Sequence, residues 1–294
     1  MTALIVTKPT NLEQHGDVIR SQIRRGYLTE DNITELEVAH AEHYRSLEKV
    51  RALLAEKKVP FDEVGRGDDW SDSGQYKVVY TVGGDGTLLS ASHSVDGKTP
   101  VIGIRSSKSS VGYLCAGGEE EIGDLVDAFL SDSLGWASCA RLKASIFYAE
   151  EDEERTTIPI LNDFLFANHN PSATTRYIIT HGDASENHKS SGIWISTATG
   201  STAGICAAGG RPMHRTDDRF QYQVRELYRG VVGSFRLTGG FFDPDELPFT
   251  IENRNGAAVL ALDGQRGVIP LKFGDRINFQ RALPIRIALP LPGT

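Results

Sequence analysis

The stretch Lys77–Thr87, KVVYTVGGDGT, decides the fold of this protein. Its first part, Lys77–Val82, is a short apolar run rich in valine, and it predicts a buried β-strand that ends at a pair of glycines. The run Thr87–Ser94 predicts the first turns of a helix, with Thr87 as the N-cap. A strand, a glycine turn and a helix start in succession predict a βα unit of a parallel sheet.

The turn itself, Gly83–Thr87 or GGDGT, has the chemistry of a phosphate-binding loop. Three glycines allow a tight turn and a close backbone approach to a ligand, and free N–H groups at a helix start attract anions. Asp85 does not fit that use, because a carboxylate repels phosphate. We therefore expect Asp85 to take a proton from a hydroxyl group or to order Mg²⁺. A plain β-turn is the alternative for this loop taken alone.

The elements around this turn predict two domains of different class. The runs Ala3–Thr7 and Pro100–Ile104 predict strands, and Glu35–Lys58 and Glu119–Leu130 predict helices, so we expect the first domain to be a parallel sheet with crossover helices. From about Trp136 onwards, short β-type runs separated by turn signals predict an all-β second domain. These runs are Ala144–Ala149, Thr157–Leu161, Arg176–Thr180, Ile193–Ser196, Val231–Leu237, Phe249–Ile251, Ala257–Leu262 and Ile285–Leu289.

Composition excludes several classes of protein. The chain has 294 residues, of which 39% are hydrophobic, and no apolar run approaches the roughly 20 residues of a membrane span. The net charge of −8 argues against a nucleic-acid partner, since phosphate neutralisation needs a basic face. Cys115, Cys139 and Cys206 form no CxxC motif, and the start of the chain has no secretory pattern. We therefore expect reduced thiols and a cytoplasmic location.

Two further clusters carry polar chemistry. The segment Ser196–Gly204, STATGSTAG, places five hydroxyl groups among small residues directly after the run Ile193–Ile195. Such a segment suits phosphate, ribose or a base, or it is a plain Ser/Thr-rich loop. Asn162 and Asp163 offer an amide beside a carboxylate, which suits a diol, although such a pair taken alone is more often a turn.

In this order, the three clusters resemble the NAD kinase family, which is recognised by a GGDGT loop, an Asn-acidic pair and a TGSTA-type segment. Late DGQ and GD signatures of the family also have counterparts. The matching stretches are Gly83–Thr87, Asn162-Asp163, Thr199–Ala203, Leu262–Gln265 and Gly274-Asp275. His40, His43 and the segment Ser110–Cys115, SVGYLC, resemble the mitochondrial-type branch of the family.

The resemblance implies a fold and a reaction. The fold is a Rossmann-like α/β domain over residues 1–138, completed by a returning tail 283–294, and a nucleotide-binding β-sandwich over residues 139–282. The reaction is the transfer of the γ-phosphoryl group of ATP to the 2′-hydroxyl of the adenosine ribose of NAD, giving NADP. Mg²⁺ arrives with ATP, without a permanent metal site, and the branch implies a homodimer.

The resemblance also assigns residues. Asp85 is the catalytic residue, which accepts or orients the proton of the 2′-hydroxyl. The residues that bind the nucleotides are Gly84, Gly86, Thr87, Tyr113, Asn162, Asp163, Thr199, Ser201, Thr202 and Ala203. The chain departs from the family at Ser191, where the family has aspartate, and at Gly204, where it has tyrosine. The alternatives are a lipid or other small-molecule kinase with the same loop, and a non-catalytic nucleotide sensor.

Three features stay open at this point. His40 and His43 lie on the apolar stripe of a predicted helix, which is typical of packed, hydrogen-bonded residues. The arginines between Arg211 and Arg229 suit a phosphate or a partner subunit, or they belong to a solvated segment. The segment Gly230–Phe242 is apolar and β-prone, so it is either a dimer interface or an internal strand of the sandwich.

Overall fold

The chain forms two compact units in the computed structural model. Unit 1 comprises Met1–Ala137 and Ile285–Thr294, and unit 2 comprises Ser138–Pro284. The structure describes residues 2–68, 70, 73–230, 234–264 and 267–291. Within these residues, none of the helices has both the length and the apolar character that crossing a membrane requires.

Unit 1 is an α/β unit built on a parallel sheet. Its elements are β1 Ala3–Thr7, α1 Asn11–Arg24, α2 Glu30–Glu56, β2 Phe61–Gly65, a 3₁₀ turn Ser73–Gln75, β3 Val78–Gly83, α3 Asp85–Ser92, β4 Val101–Arg105 and α4 Ile122–Leu130. The strands follow the order β2-β1-β3-β4, and each pair is parallel. β3 is buried at every residue, which explains its valine-rich sequence. Helices α2 and α4 pack with the sheet through core residues that include Leu47, Val50, Ile102 and Leu125.

Unit 2 consists of two sheets. Its elements are β5 Trp136–Tyr148, which begins in unit 1, β6 Glu153–Thr156, β7 Asp163–Asn168, β8 Thr175–His181, β9 Ala184–Ser190, β10 Gly192–Ser196, a 3₁₀ turn Thr199–Thr202, α5 Gly204–Ala207, β11 Phe220–Arg225, β12 Gly239–Phe242, β13 Phe249–Asn253, β14 Ala258–Leu262, β15 Gly267–Leu271 and β16 Arg276–Ala288. The first sheet has the antiparallel order β12-β11-β10-β7-β14-β15. The second joins β16, β13, β8 and β9, with β5 and β6 beside β16.

Aromatic side chains from both sheets of unit 2 form one core. Phe164 and Phe166 come from the first sheet, and Tyr177 and Phe279 come from the second. The rings of Phe164 and Phe279 lie 5.6 Å apart, and those of Phe166 and Tyr177 lie 5.4 Å apart. Two sheets that share one apolar core are a β-sandwich, so the predicted class of the second half is confirmed.

Strand β16 belongs to both units. Its first part pairs with β13, as in the pair Ile251 and Ile277, and its last residues pair in parallel with β4 through Ile287 and Val101. Just beyond it, Leu289 N donates a hydrogen bond to Gly135 O at 2.9 Å. The tail therefore completes the sheet of unit 1, as the family resemblance implied.

One predicted strand is wrong, and its sequence explains why. The run Thr157–Leu161 forms only an isolated bridge, between Leu142 and Ile160. Pro159 lies within this run, and because proline lacks an N–H group it interrupts a ladder of backbone hydrogen bonds. The hairpin partner of β5 is instead β6, which starts inside the acidic run Glu150–Glu154 and is exposed at every residue.

Other elements differ in extent or were missed. Helix α2 begins at Glu30, five residues before the predicted start at Glu35. Helix α1 and strand β2 were not predicted, although Thr10 and Glu13 carry the signal of a capping box: Thr10 N donates to Glu13 Oε2 at 2.7 Å. In the predicted strand Val231–Leu237, residues 231–233 lie outside the described residues, and β12 starts only at Gly239.

Candidate functional site

The glycine turn after β3 has no room for side chains. A Cβ atom at Gly83 would lie 2.1 Å from Thr87 Oγ1, and one at Gly84 would lie 2.6 Å from Val111 O. Gly84 is the extended N-cap of α3, so the helix starts at Asp85. The prediction that Thr87 is the N-cap is therefore wrong. Thr87 lies in the first turn of the helix, is buried, and packs against Gly83.

The carboxylate of Asp85 is held by the segment that follows β4. Its Oδ1 accepts a hydrogen bond from Leu114 N at 2.9 Å, and its Oδ2 accepts one from Tyr113 N at 3.1 Å. A carboxylate has about four lone-pair sites, so both oxygens can still accept another donor. Tyr113 thus reaches the site through its backbone, while its side chain is 76% exposed.

Two of the N–H groups at the start of α3 are used within the protein. Asp85 N donates to Val111 O at 2.9 Å, and Thr87 N donates to Gly84 O at 2.9 Å. The sequence predicts free N–H groups here that attract phosphate. Because these two groups already have acceptors, a phosphate at this turn needs positive charge from another source.

A cavity of about 410 Å³ adjoins the turn in unit 1. It lies where β1, β2, β3 and β4 end, which is the edge of a parallel sheet that usually binds ligands. The lining includes the residues Gly84–Thr87, three serines that follow β4, and the side chains of Lys8, Arg66, His40 and His43. No sequence pattern identifies Lys8 and Arg66 as site residues, because they become neighbours only through the pairing of β1 with β2.

Two histidines of α2 contribute to this cavity from well-defined positions. His43 is 2% exposed; its Nε2 lies 3.1 Å from Thr7 Oγ1 and its Nδ1 lies 2.8 Å from Ser106 Oγ. Burial and the nearby charge of Lys8 lower the pKa of His43 to about 4, so the ring is neutral at neutral pH. His40 Nδ1 lies 2.8 Å from Thr10 Oγ1, the N-cap of α1. Both are hydrogen-bonded residues, and both also face the cavity.

In unit 2, the pair Asn162 and Asp163 lies at the start of β7. The carboxylate of Asp263 accepts hydrogen bonds from Leu161 N at 3.0 Å, from Asn162 N at 2.8 Å and from Asp163 N at 3.1 Å. Asp263 belongs to the late DGQ signature, to which the sequence analysis gave no role. It therefore fixes the backbone of the Asn-acidic pair from about one hundred residues away in sequence.

The hydroxyl-rich segment packs against the same pair. Thr197 N donates to Asn162 O at 2.9 Å, and a Cβ atom at Gly200 would lie 2.2 Å from that oxygen. Thr199 Oγ1 is buried beside Cys139, whereas Thr202 is exposed. The 3₁₀ turn Thr199–Thr202 ends at Ala203. The structure thus brings two of the three predicted clusters together within unit 2.

Ser201 has a structural position within this segment. It is fully buried, and its hydroxyl donates a hydrogen bond to Ala198 O at 2.7 Å. Ser201 Oγ also accepts a hydrogen bond from Met213 N at 2.8 Å. These two bonds tie the 3₁₀ turn to the chain that follows α5. The hydroxyl therefore shapes the turn, and the accessible hydroxyl at its surface is that of Thr202.

Two polar groups at the Asn-acidic pair have unusual surroundings. Asn162 Oδ1 is buried and has no hydrogen-bond partner within the described residues. Asp163 is 5% exposed, and burial together with the charge of Asp263 raises its pKa to about 7. An unsatisfied carbonyl oxygen beside a carboxyl group that is partly protonated at neutral pH can both accept and donate hydrogen bonds.

The two departures from the family pattern have structural contexts. A Cβ atom at Gly204 would lie 2.7 Å from Cζ2 of Trp194, so this indole occupies the space of a larger side chain at position 204. Ser191 N donates to Arg225 O at 3.1 Å, next to Gly192, which has a φ of 118°. A Cβ atom at Gly192 would lie 2.3 Å from Phe166 O, so glycine is required beside Ser191.

The arginine-rich segment is partly ordered as strand β11. Arg219 pairs with Asp217 at 2.7 Å, and the guanidinium group of Arg225 lies 5.8 Å from the ring of Trp194. In the described part of Gly230–Phe242, Leu237 and Phe242 are buried. The ring of Phe235 lies 5.1 Å from that of His188. Leu237 and Phe242 therefore belong to the core of unit 2.

The chain is similar to known kinases of NADH. No protein-family model matches the chain. A protein of Oryza sativa subsp. japonica named “Probable NADH kinase” is 26% identical over 84% of this chain and 82% of its own length. The NADH kinase of Arabidopsis thaliana is 28% identical over 83% of this chain and 82% of its own length.

The fold also has a solved counterpart. The chain is similar to the crystal structure of an NAD kinase from Archaeoglobus fulgidus in complex with ATP, with a TM-score of 0.69 and 16% identity. The match covers 98% of this chain and 93% of that chain, so it includes both units. These two sequence matches each cover more than four fifths of this chain. The chain is therefore similar in sequence to NADH kinases over most of its length, and it has the fold of a solved NAD kinase.

Proposed function

We propose that this protein is an NAD kinase, which transfers the γ-phosphoryl group of ATP to the 2′-hydroxyl of the adenosine ribose of NAD and releases NADP and ADP. The observation that carries the proposal is the position of Asp85. Its carboxylate is fixed at a glycine turn, at the ligand-binding edge of a parallel sheet. It lines a cavity whose lining also includes the cationic residues Lys8 and Arg66. Such a group suits proton transfer from a hydroxyl.

In the proposed step, the 2′-oxygen of the ribose forms a bond to the γ-phosphorus, and the bond from that phosphorus to the β,γ-bridging oxygen breaks. The carboxylate of Asp85 accepts the hydroxyl proton as the new bond forms, and ADP leaves. Mg²⁺ enters with ATP as part of the substrate and offsets its negative charge. Because phosphoryl transfer depends mainly on positioning, the two amides that hold Asp85 contribute by fixing its direction.

Asn162 and Asp163 are proposed to bind the dinucleotide. The buried Oδ1 of Asn162 lacks a donor, and a ribose hydroxyl would supply one. We expect Asn162→Ala to raise the KM for NAD by about 10-fold, because it removes one buried hydrogen bond to the substrate. The KM for ATP should change little. Calorimetry that gives wild-type NAD affinity for Asn162→Ala and Asp163→Ala would assign the pair to local structure alone.

The direct test of the function is the ATP-dependent formation of NADP from NAD. NADH is assayed as a second acceptor and polyphosphate as a second donor. Diacylglycerol is assayed as the acceptor that a lipid kinase would phosphorylate. The assay is run under reducing conditions, because Cys115, Cys139 and Cys206 are free thiols. For the same reason we propose the cytoplasm as the location of the protein. NAD binding without NADP formation would favour a nucleotide sensor and contradict the proposal.

We also propose that the protein is a homodimer. Strand β12 lies at the edge of the six-stranded sheet, and an uncovered edge presents unpaired backbone groups to a second copy. The large side chains Leu237 and Phe242 are already buried, so the edge itself is the better candidate for contact. Light scattering at micromolar concentration should return about twice the chain mass of 32.1 kDa. A particle of single-chain mass would remove the dimer.

A further inference from the structure

Lys8 and Arg66 start from neighbouring positions at one edge of the unit 1 sheet. Lys8 is the first residue after β1, and Arg66 is the first residue after β2. These strands are parallel neighbours in which Thr7 pairs with Gly65, and Arg66 N donates to Thr7 O at 2.6 Å. Both side chains line the cavity that contains the GGDGT turn. The fold therefore places two cations together in the lining of the cavity that also includes Asp85.

These two charges lack a carboxylate partner in the part of the chain that the structure describes. The Asp85 carboxylate in the same lining is bonded to the amides of Tyr113 and Leu114. Glu35, the other acidic residue of the lining, is exposed and on α2. Lys8 is half-buried, and its burial and the charge of Arg66 lower its pKa. Two like charges held together at a partly buried place have an electrostatic cost that a bound anion would offset.

The cations also supply what the glycine turn lacks. Asp85 N and Thr87 N are used in backbone hydrogen bonds, so they are not available to a phosphate group. Helix α1 has 14 residues, and its first residue Asn11 and its N-cap Thr10 both line the cavity. The positive end of this helix dipole therefore adds to the charges of Lys8 and Arg66.

We propose that Lys8 and Arg66 bind the polyphosphate tail of the phosphoryl donor, and that they set the selectivity of the site for donors with two or more linked phosphates. This proposal rests on the proposed kinase function. A guanidinium group can bind two phosphate oxygens at once, and an ammonium group acts as a compact point charge. Because both residues directly follow paired positions on adjacent strands, one polyphosphate chain can contact both of them. Affinity should therefore rise in the order AMP, ADP, ATP.

The test compares Lys8→Met and Arg66→Met with Lys77→Met as the matched control. Lys77 is exposed and precedes β3, so its substitution removes the same charge from the opposite end of the sheet. Each cavity variant should raise the KM for ATP by about 10-fold or more, as expected for the loss of a charge-assisted hydrogen bond. The KM for NAD should stay unchanged. Calorimetry with inorganic tripolyphosphate should show a similar loss of affinity, and Arg66→Lys should restore part of it.

The outcomes separate this proposal from the proposed function. If the wild type forms NADP but both methionine variants keep the wild-type KM for ATP, the role of Lys8 and Arg66 is overturned and the kinase function stands. If the wild type forms no NADP, the tripolyphosphate measurement decides alone: affinity lost in both variants supports a polyphosphate site, and unchanged or absent binding overturns it. Thermal unfolding of each variant is compared with Lys77→Met, and Lys8→Gln replaces Lys8→Met if the latter does not fold.

Discussion

Replacing His43 with glutamine should remove a specific part of the acid sensitivity of unit 1. The pKa of His43 is about 4 in the folded chain and about 6.5 in an unfolded one. Because the folded value is the lower one, the unfolded state binds the proton first, and stability falls as pH decreases from about 6.5 towards 4. One pKa unit corresponds to about 1.4 kcal/mol, so the wild type should lose about 2 kcal/mol by pH 5 and about 3 kcal/mol near pH 4.

The assay is urea unfolding of the wild type and of His43→Gln at pH 7.5 and at pH 5. The quantity of interest is the change with pH of the difference between the two unfolding free energies. Asp163, whose raised pKa gives the opposite slope, is present in both proteins and cancels. His15→Gln, which removes an exposed histidine of the same unit, is the matched control. Parallel pH profiles for the wild type and His43→Gln would refute the reasoning.

Three further substitutions test the two units. Asp85→Asn should lower kcat by about 10² to 10⁴, the usual effect of losing a general base, while NAD still binds; near-wild-type turnover in a folded variant would reduce Asp85 to a turn residue. Asp263→Ala leaves three N–H groups without their acceptor, so chemical denaturation should show a loss of about 2–4 kcal/mol; an unchanged midpoint would contradict this. Gly200→Ala would place a Cβ atom 2.2 Å from Asn162 O and should destabilise unit 2 by about 1–3 kcal/mol. The control Gly256→Ala has open space around its Cβ atom and should leave stability unchanged. Equal melting temperatures for the two variants would contradict the predicted steric clash at Gly200.

The sequence predicts the fold class because the central elements are periodic and local. Strand β3 is a fully buried run rich in valine, and the glycine turn after it leaves little choice of geometry. Strand β2 was missed for the opposite reason. Its residues, Phe61–Gly65, are only partly buried and include two acids, so neither alternation nor an apolar run identifies it. These residues form a strand because they pair with β1 at the edge of the sheet, and such pairing is visible only in the tertiary structure.

The residues of the candidate site fall into two groups, those that a sequence motif identifies and those that only long-range contacts place there. Asp85 and Asn162 belong to short motifs, so they can be proposed from the sequence. Asp263 acts across about one hundred residues, through hydrogen bonds to backbone N–H groups whose partners no pattern reveals. No sequence pattern gives Lys8 a role, because its neighbour Arg66 follows a strand that was not predicted. Contacts between distant segments are the part that sequence patterns leave undetermined.

The path of β16 has a consequence for how the protein is made on the ribosome. The residues that pair with β4 follow the whole of unit 2 in the chain, so they leave the ribosome only after that unit has been synthesised. During translation the nascent unit 1 has an uncovered β4 edge, which can pair with the same edge of a chain on a neighbouring ribosome. Slow translation of unit 2 lengthens that interval. A circular permutant that places residues 285–291 ahead of β1 would close the edge early and should give a higher soluble yield.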